Sequence, residues 1–269
     1  MKTHRHILPI IVIAQFCCTS LWFAGNAVMG DLASEFGLKS NALGHLTSAV
    51  QFGFISGTLS FAILTIADRF SPYKVFFLSA FLGALSNLGL LLESNTFWSL
   101  IGFRFLVGFF LAGIYPVGMK IAADYFDKSL GKSLGFLVGA LVLGTALPHL
   151  LKDLTLAFSW KTVIVSVSGL AFLGGLLMIL FIGNGPYRKP GSKFNFRGFF
   201  QVFRIREFRS AAFGYFGHMW ELYTLWAFVP MCLITFTRYH PEVKLNISIM
   251  NKLVLNYQYQ KYVMQSKML

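Results

Sequence analysis

Long apolar runs, each about the length of a membrane span, recur along the chain and are separated by short segments that carry most of its charge. A bilayer core about 30 Å thick is crossed by roughly 20 apolar residues in an α-helix, and a spanning segment must satisfy its own backbone polar groups. Seven runs meet that requirement: residues 8–29, 42–67, 74–92, 97–121, 133–151, 162–182 and 211–236. Only 12% of the 269 residues are charged and 56% are hydrophobic, too little polarity to keep a water-facing surface wetted. The expected fold is therefore all-α, a polytopic membrane helix bundle. The first run follows a basic start but is too long for a cleaved signal, and Phe16 before Cys17 does not suit lipoprotein cleavage, so a retained first helix is expected.

A net charge of +13 in a soluble protein would suggest a nucleic-acid partner, but the positions of the cations argue for orientation in a membrane instead. With the N-terminus inside, the cytoplasmic segments hold Lys2, Arg5, Arg69, Lys74, Lys120, Lys128, Lys132, Arg188, Lys189, Lys193, Arg197, Arg204, Arg206 and Arg209. The external loops hold Lys39, Lys152 and Lys161. Fourteen cations against three place the N-terminus in the cytoplasm, in a plasma membrane or the inner membrane of a Gram-negative cell. Cys17, Cys18 and Cys232 lie inside apolar runs without metal-ligand spacing or a disulfide pattern, and read as small buried hydrophobes. No metal and no cofactor is expected.

Connection lengths divide the chain. Residues 1–182 form a six-helix bundle with short connections, and residues 183–210 form a long, basic, Pro-containing cytoplasmic linker. Residues 211–236 form a seventh helix that starts a second bundle. From 237 to 269 no apolar run of span length remains and Lys, Asn, Tyr and Gln dominate. That tail reads as an external extension or as residues translated out of frame; the second is favoured, because the seventh helix lacks neighbours from its own bundle. Glycines at 53, 57, 83, 89, 108, 113, 135, 139 and 144 suit closely approaching helices, and Gly135 with Gly139 makes a small-xxx-small pair.

Ionisable groups inside spans are costly and are functional candidates by default. Arg104 lies about 10 Å below the external edge of its helix by helical rise, where it is expected to bind an anionic group or gate proton movement; the plainer alternative is a structural pairing with a carbonyl. His218 and Glu221, three residues apart, share a helix face, and Glu221 falls near the midplane, where desolvation favours proton binding near neutrality. Trp22, Asn26, Gln51 and Tyr115 are expected to line a polar cavity, with Lys120 further along, although Trp22 and Tyr115 also suit interface anchoring. His45 and His149 read as interface histidines. Pro116 and Pro148 are expected to bend their helices. The chain has no HExxH, no GxxxxGK[ST] and no nucleophile elbow, so soluble-type catalysis is not expected.

Two motifs carry a resemblance. The stretch Leu64-Thr65-Ile66-Ala67-Asp68-Arg69-Phe70-Ser71-Pro72-Tyr73-Lys74 is similar to the G-x-x-x-D-R-x-G-R-R loop of the major facilitator superfamily. Asp68 and Arg69 match, whereas Leu64, Ser71, Pro72 and Tyr73 depart. Arg104-Phe-Leu-Val-Gly108 is similar to that family's R-x-x-x-G signature on helix four, and 135–148 weakly resembles the helix-five pattern of its antiporters. The resemblance covers roughly residues 8–236. It implies two six-helix halves with solute bound between them, a conformational latch at Asp68 and Arg69, and a place for Arg104 in the cavity or the proton route.

The expected function is secondary transport of a small polar or anionic solute, coupled to H+, with a missing C-terminal bundle or another membrane protein needed to complete the machine. The alternatives are a non-transporting membrane scaffold or regulatory partner, and a seven-helix receptor or light-driven pump. The cation count opposes the external N-terminus of a receptor, and run 211–236 has no Lys for retinal.

Overall fold

The computed structural model describes residues 6–38, 42–127, 129–154, 159–188, 191 and 201–239, leaving aside the side chains of 43, 153, 220, 222–235, 237 and 238. All of its regular elements among these residues are helices. Among the described residues, six helical stretches are long and apolar enough to cross a membrane: Ile7–Ala27, Gly44–Ile63, Pro72–Leu91, Phe97–Tyr125, Leu130–Lys152 and Trp160–Phe181. They match the first six apolar runs to within a few residues, since run length is what the bilayer dictates.

The chain divides into two compact units, Met1–Phe194 and Asn195–Leu269. In the first, the opening span comprises α1 (Ile7–Thr19), a 3-10 turn at Ser20–Phe23 and α2 (Ala24–Ala27), and α3 (Met29–Glu35) continues from it. Its break has a local cause. Thr19 Oγ1 donates to Gln15 O (2.9 Å) and Phe16 O (3.3 Å), and Ser20 Oγ donates to Cys17 O (2.6 Å), and hydroxyls bonded back to carbonyls of the preceding turn bend helices.

Next come α4 (Ala42–Ile63), the one-turn α5 (Ile66–Arg69) and α6 (Pro72–Leu88). Thr65, with a left-handed φ of 49°, separates α4 from α5, and Pro72 opens α6 at a position where its missing N–H costs nothing. The fourth span is two helices, α7 (Phe97–Leu111) and α8 (Tyr115–Tyr125). A reciprocal Thr96/Ser99 capping box starts α7, and Pro116 stands in the first turn of α8, where the expected bend appears as a break. Then follow α9 (Leu130–Leu154), with Pro148 inside it, and α10 (Trp160–Phe181).

The first span lies at the centre of the unit: α1 packs on α10, α9 and α8, while α4 pairs with α7, and α6 joins α7, α8 and α10. The coverage is uneven. Of the apolar window of each span, 61% is buried for Ile7–Ala27 but only 28% for Gly44–Ile63 and 22% for Leu130–Lys152. Exposed apolar side chains line both of the poorly covered helices, among them Phe52, Ile55 and Leu59 on α4 and Phe136, Leu143 and Leu150 on α9.

Close helix approach runs through α4 and α7. A Cβ on Gly53 would stand 2.0 Å from Phe105 O, one on Gly57 2.4 Å from Phe109 O, and one on Gly108 1.9 Å from Val50 O. Gly144 likewise admits Phe16 O and Thr19 of the first span. The Gly135–Gly139 pair does not serve this purpose among the described residues, because a Cβ at either would meet nothing within 4 Å.

The second unit contains α11 (Arg206–Tyr239), 34 residues or roughly 50 Å at the helical rise. It extends past both ends of the expected seventh run. Most of that run's side chains, Cys232 among them, and the tail from 240 onward lie outside the described residues.

Candidate functional site

The most deeply enclosed charge of the first bundle is Arg104, on the middle of α7 and 1% exposed. Its Nη2 donates to Trp22 O (2.7 Å) and Asn26 Oδ1 (3.1 Å), and Nη1 donates to Leu21 O (3.4 Å). The 3-10 turn of the first span turns these main-chain oxygens toward a neighbouring helix. Gly25 makes room for the guanidinium, whose Cδ, Nε and Cζ would lie 3.1 to 3.2 Å from a Cβ there. No carboxylate among the described residues forms an ion pair with Arg104. Among the described residues the positive charge is solvated by neutral oxygens, a costly arrangement in a membrane interior.

Two buried donors in this region have no partner among the described residues: Nε of Arg104 and the indole Nε1 of Trp22. Trp22 packs its ring on Phe54 of α4, with centroids 4.6 Å apart. Asn26 passes the contact onward, its Nδ2 donating to Thr47 Oγ1 at 2.8 Å. Thr47 in turn lines a shallow open groove of about 470 Å³ with His45, Ser48, Gln51, Phe52, Ile55 and Ile101. Asn26 therefore links the buried cation to a surface groove that contains Gln51. Tyr115 begins α8 and is half-buried.

Two of the expected cavity residues, Trp22 and Asn26, thus meet Arg104 directly, and Gln51 shares the groove that Asn26 reaches. His218 and Glu221 belong to the second unit and lie 3.9 Å apart on one face of α11. The Glu221 side chain is exposed among the described residues of its unit.

The two residues expected to form a latch have different surroundings. Asp68 binds Lys120 Nζ of α8 at 2.9 Å, and Lys120 also reaches Asp124 at 3.8 Å, whereas Arg69 is exposed. Asp68 is thus engaged inside the first unit.

Some polar contacts have no signature in local sequence. Asn87 Nδ2 of α6 donates to Ser168 Oγ of α10 at 3.0 Å, while Gln15 of α1 is fully buried with neither amide atom partnered. At the far end of the bundle from Asp68, α3 carries a clasp: Asp31 pairs with Lys152 at 2.5 Å, and Glu35 accepts from Trp160 Nε1 at 2.7 Å and pairs with Lys161 at 3.3 Å. Asp31 and Lys152 are 121 residues apart, beyond the reach of spacing arguments. Reversing one charge, Asp31→Lys, is expected to cost about 1 kcal/mol, and the double exchange with Lys152→Asp to recover most of it. Unfolding curves in mixed micelles check this pair. No group of three or more His, Cys, Asp or Glu close enough to hold a metal ion occurs among the described residues.

Known proteins agree with this architecture. The chain is 29% identical over 162 residues to the niacin transporter NiaP of Acinetobacter baylyi, covering 51% of this chain and 36% of that protein. It is 30% identical over 130 residues to the inner membrane metabolite transport protein YdjE of Escherichia coli, covering 48% and 28%. To the probable galactarate/D-glucarate transporter GarP of Escherichia coli it is 26% identical over 194 residues, covering 68% and 43%. The chain thus spans less than half the length of these curated relatives. A similar fold occurs in the crystal structure of a bacterial homolog of the human lysosomal transporter Spinster, inward-facing and unoccupied, with a TM-score of 0.59 at 20% identity, covering 76% of this chain and 49% of that one. These relatives are transporters, not enzymes. The family model described as the Major Facilitator Superfamily matches residues 11–263, and this chain, a multi-pass membrane protein with six candidate spans among its described residues, belongs to the major facilitator superfamily.

Proposed function

We propose that the chain is the first half, with one helix of the second, of a secondary transporter that carries a small carboxylate-bearing solute together with protons. The observation that carries this reading is Arg104: a buried cation without a carboxylate partner among the described residues, beside two unpartnered N–H donors. A bound anion supplies what the site lacks, a negative charge and acceptor oxygens. Niacin, galactarate and D-glucarate, the solutes in the names of the relatives, are all carboxylic acids, which supports the same chemical class.

Trp22, Asn26, Gln51 and Tyr115 shape the cavity, and Asp68 with Arg69 belongs to the latch. His218 and Glu221 carry the proton. In this reading residues 1–182 are the first bundle, 183–210 the cytoplasmic linker and 211–236 the first helix of the second bundle. The sparsely covered faces of α4 and α9 await that bundle, which comes from sequence outside these 269 residues or from a separate polypeptide. Alone, the chain is expected not to transport.

Proton coupling is tested in membrane vesicles with the complete two-bundle protein. Glu221→Gln is expected to abolish uptake driven by an imposed pH gradient while solute exchange at equal pH persists; gradient-driven uptake at the parental rate removes Glu221 from the mechanism. Orientation is tested with a reporter fused near Lys193. Cytoplasmic activity is expected from the cation count, and a periplasmic signal reverses the topology.

A further inference from the structure

The loop that bears Asp68 contains a helix that cannot hold itself. The four residues of α5 form a single turn that enters from the left-handed Thr65, and one helical turn fixes more torsions than its hydrogen bonds repay. The support comes from the other end of the bundle's sequence. Ile182 leaves α10 in extended backbone, and the next residues run across α8 and α5. Gly183 N donates to Tyr125 Oη at 3.1 Å, and Tyr187 N donates to Asp124 O at 3.0 Å. Arg188 Nη2 then donates to Asp68 O (3.3 Å) and Phe70 O (3.0 Å), carbonyls at the C-terminal end of α5 that the helix itself leaves unpaired.

The fit is close. A Cβ on Gly185 would stand 2.2 Å from Asp124 O, and one on Gly191 2.9 Å from the Cβ of Asp68. Lys120 joins the two contact points, pairing with Asp68 at 2.9 Å and Asp124 at 3.8 Å.

We infer that residues 183–188 are a strap that fixes the Asp68 loop, with Arg188 as the positioning residue that caps α5 from 120 residues away in sequence. The strap is also the start of the connection to the second unit. Tension on that connection is therefore transmitted to the backbone of Asp68, and the loop is ordered only while the strap is seated. This inference does not depend on which solute the protein carries.

Amide hydrogen exchange on the 269-residue protein in lipid nanodiscs tests it. Arg188→Ala is expected to speed exchange at residues 66–70 about tenfold, the effect of losing a local cap rather than the fold. Gly185→Ala, which lifts the strap by steric contact, should give the same local signature. Arg204→Ala, which removes a cation outside the strap, should leave those amides unchanged, and α1 and α10 should keep their rates in all three. Arg188→Lys, whose ammonium can donate to the same carbonyls, is expected to restore most of the protection. Unchanged exchange at 66–70 in both strap variants would overturn the inference, as would acceleration of every span together, the mark of a merely structural residue. If one of the two variants does not fold, the other decides.

Discussion

Gly108→Val should abolish the folded bundle, with a loss of about 3 kcal/mol or more. At this position α7 rests on the main chain of α4: a Cβ on Gly108 would be 1.9 Å from Val50 O and 2.9 Å from the amide nitrogen of Phe54. Gly53 and Gly57 reciprocate against Phe105 O and Phe109 O. Backbone atoms cannot rotate aside as a side-chain end can, so the helices must separate. Separation also undoes the network above, because Asn26 must reach Thr47 on α4 and Arg104 on α7 together. The matched control is Gly135→Val, whose Cβ meets nothing within 4 Å and which should change stability by less than about 0.5 kcal/mol. Unfolding monitored by tryptophan fluorescence in detergent separates the two. Equal stabilities would show that α4 and α7 do not pack through their glycines.

The second large effect concerns Arg104. In the complete two-bundle protein, Arg104→Ala should lower uptake of a carboxylate solute about a hundredfold, the scale of removing one partner from a desolvated, hydrogen-bonded charge pair. Arg104→Lys should recover only part of it, because an ammonium lacks the planar fork that reaches Trp22 O, Leu21 O and Asn26 at once. Asn26→Asp is the more discriminating change. It sets a carboxylate where Asn26 Oδ1 now stands, 3.1 Å from Nη2, so the protein neutralises its own cation. Uptake should fall as in the alanine variant while the bundle stays folded. If Arg104 only tied the helices together, Asn26→Asp would strengthen that tie and leave uptake intact.

Sequence revealed the spans because their lengths answer to bilayer thickness, and it marked Arg104 because an ionisable group in an apolar run is conspicuous. The oxygens that hold Arg104 were hidden: two belong to the backbone of the 3-10 turn that follows Thr19, and Thr19 and Ser20, whose hydroxyls bond back to the preceding turn, look like ordinary small packing residues. Spacing singled out Gly135 and Gly139 but could not tell which face of α9 meets a neighbour; the glycines that bring backbones together are Gly144 on that helix and Gly53, Gly57 and Gly108 on α4 and α7. The Asp68-Arg69 motif drew attention to Asp68 but not to its contacts with Lys120 and Arg188, which depend on tertiary proximity. The breaks at Pro116 and Thr65, by contrast, divide in a legible way: Pro116 announces itself through its missing N–H, while nothing in the residue type of Thr65 foretells a positive φ.

Comparing an acid with its amide tests most directly whether the buried cation reads the charge of the solute. Uptake of a labelled small carboxylic acid that the protein carries, and of its labelled amide, is followed in vesicles bearing the complete two-bundle protein, with and without Arg104→Ala. Saturable uptake of the acid alone, lost in the alanine variant, is the predicted result. Equal uptake of acid and amide, unaffected by the substitution, would contradict it.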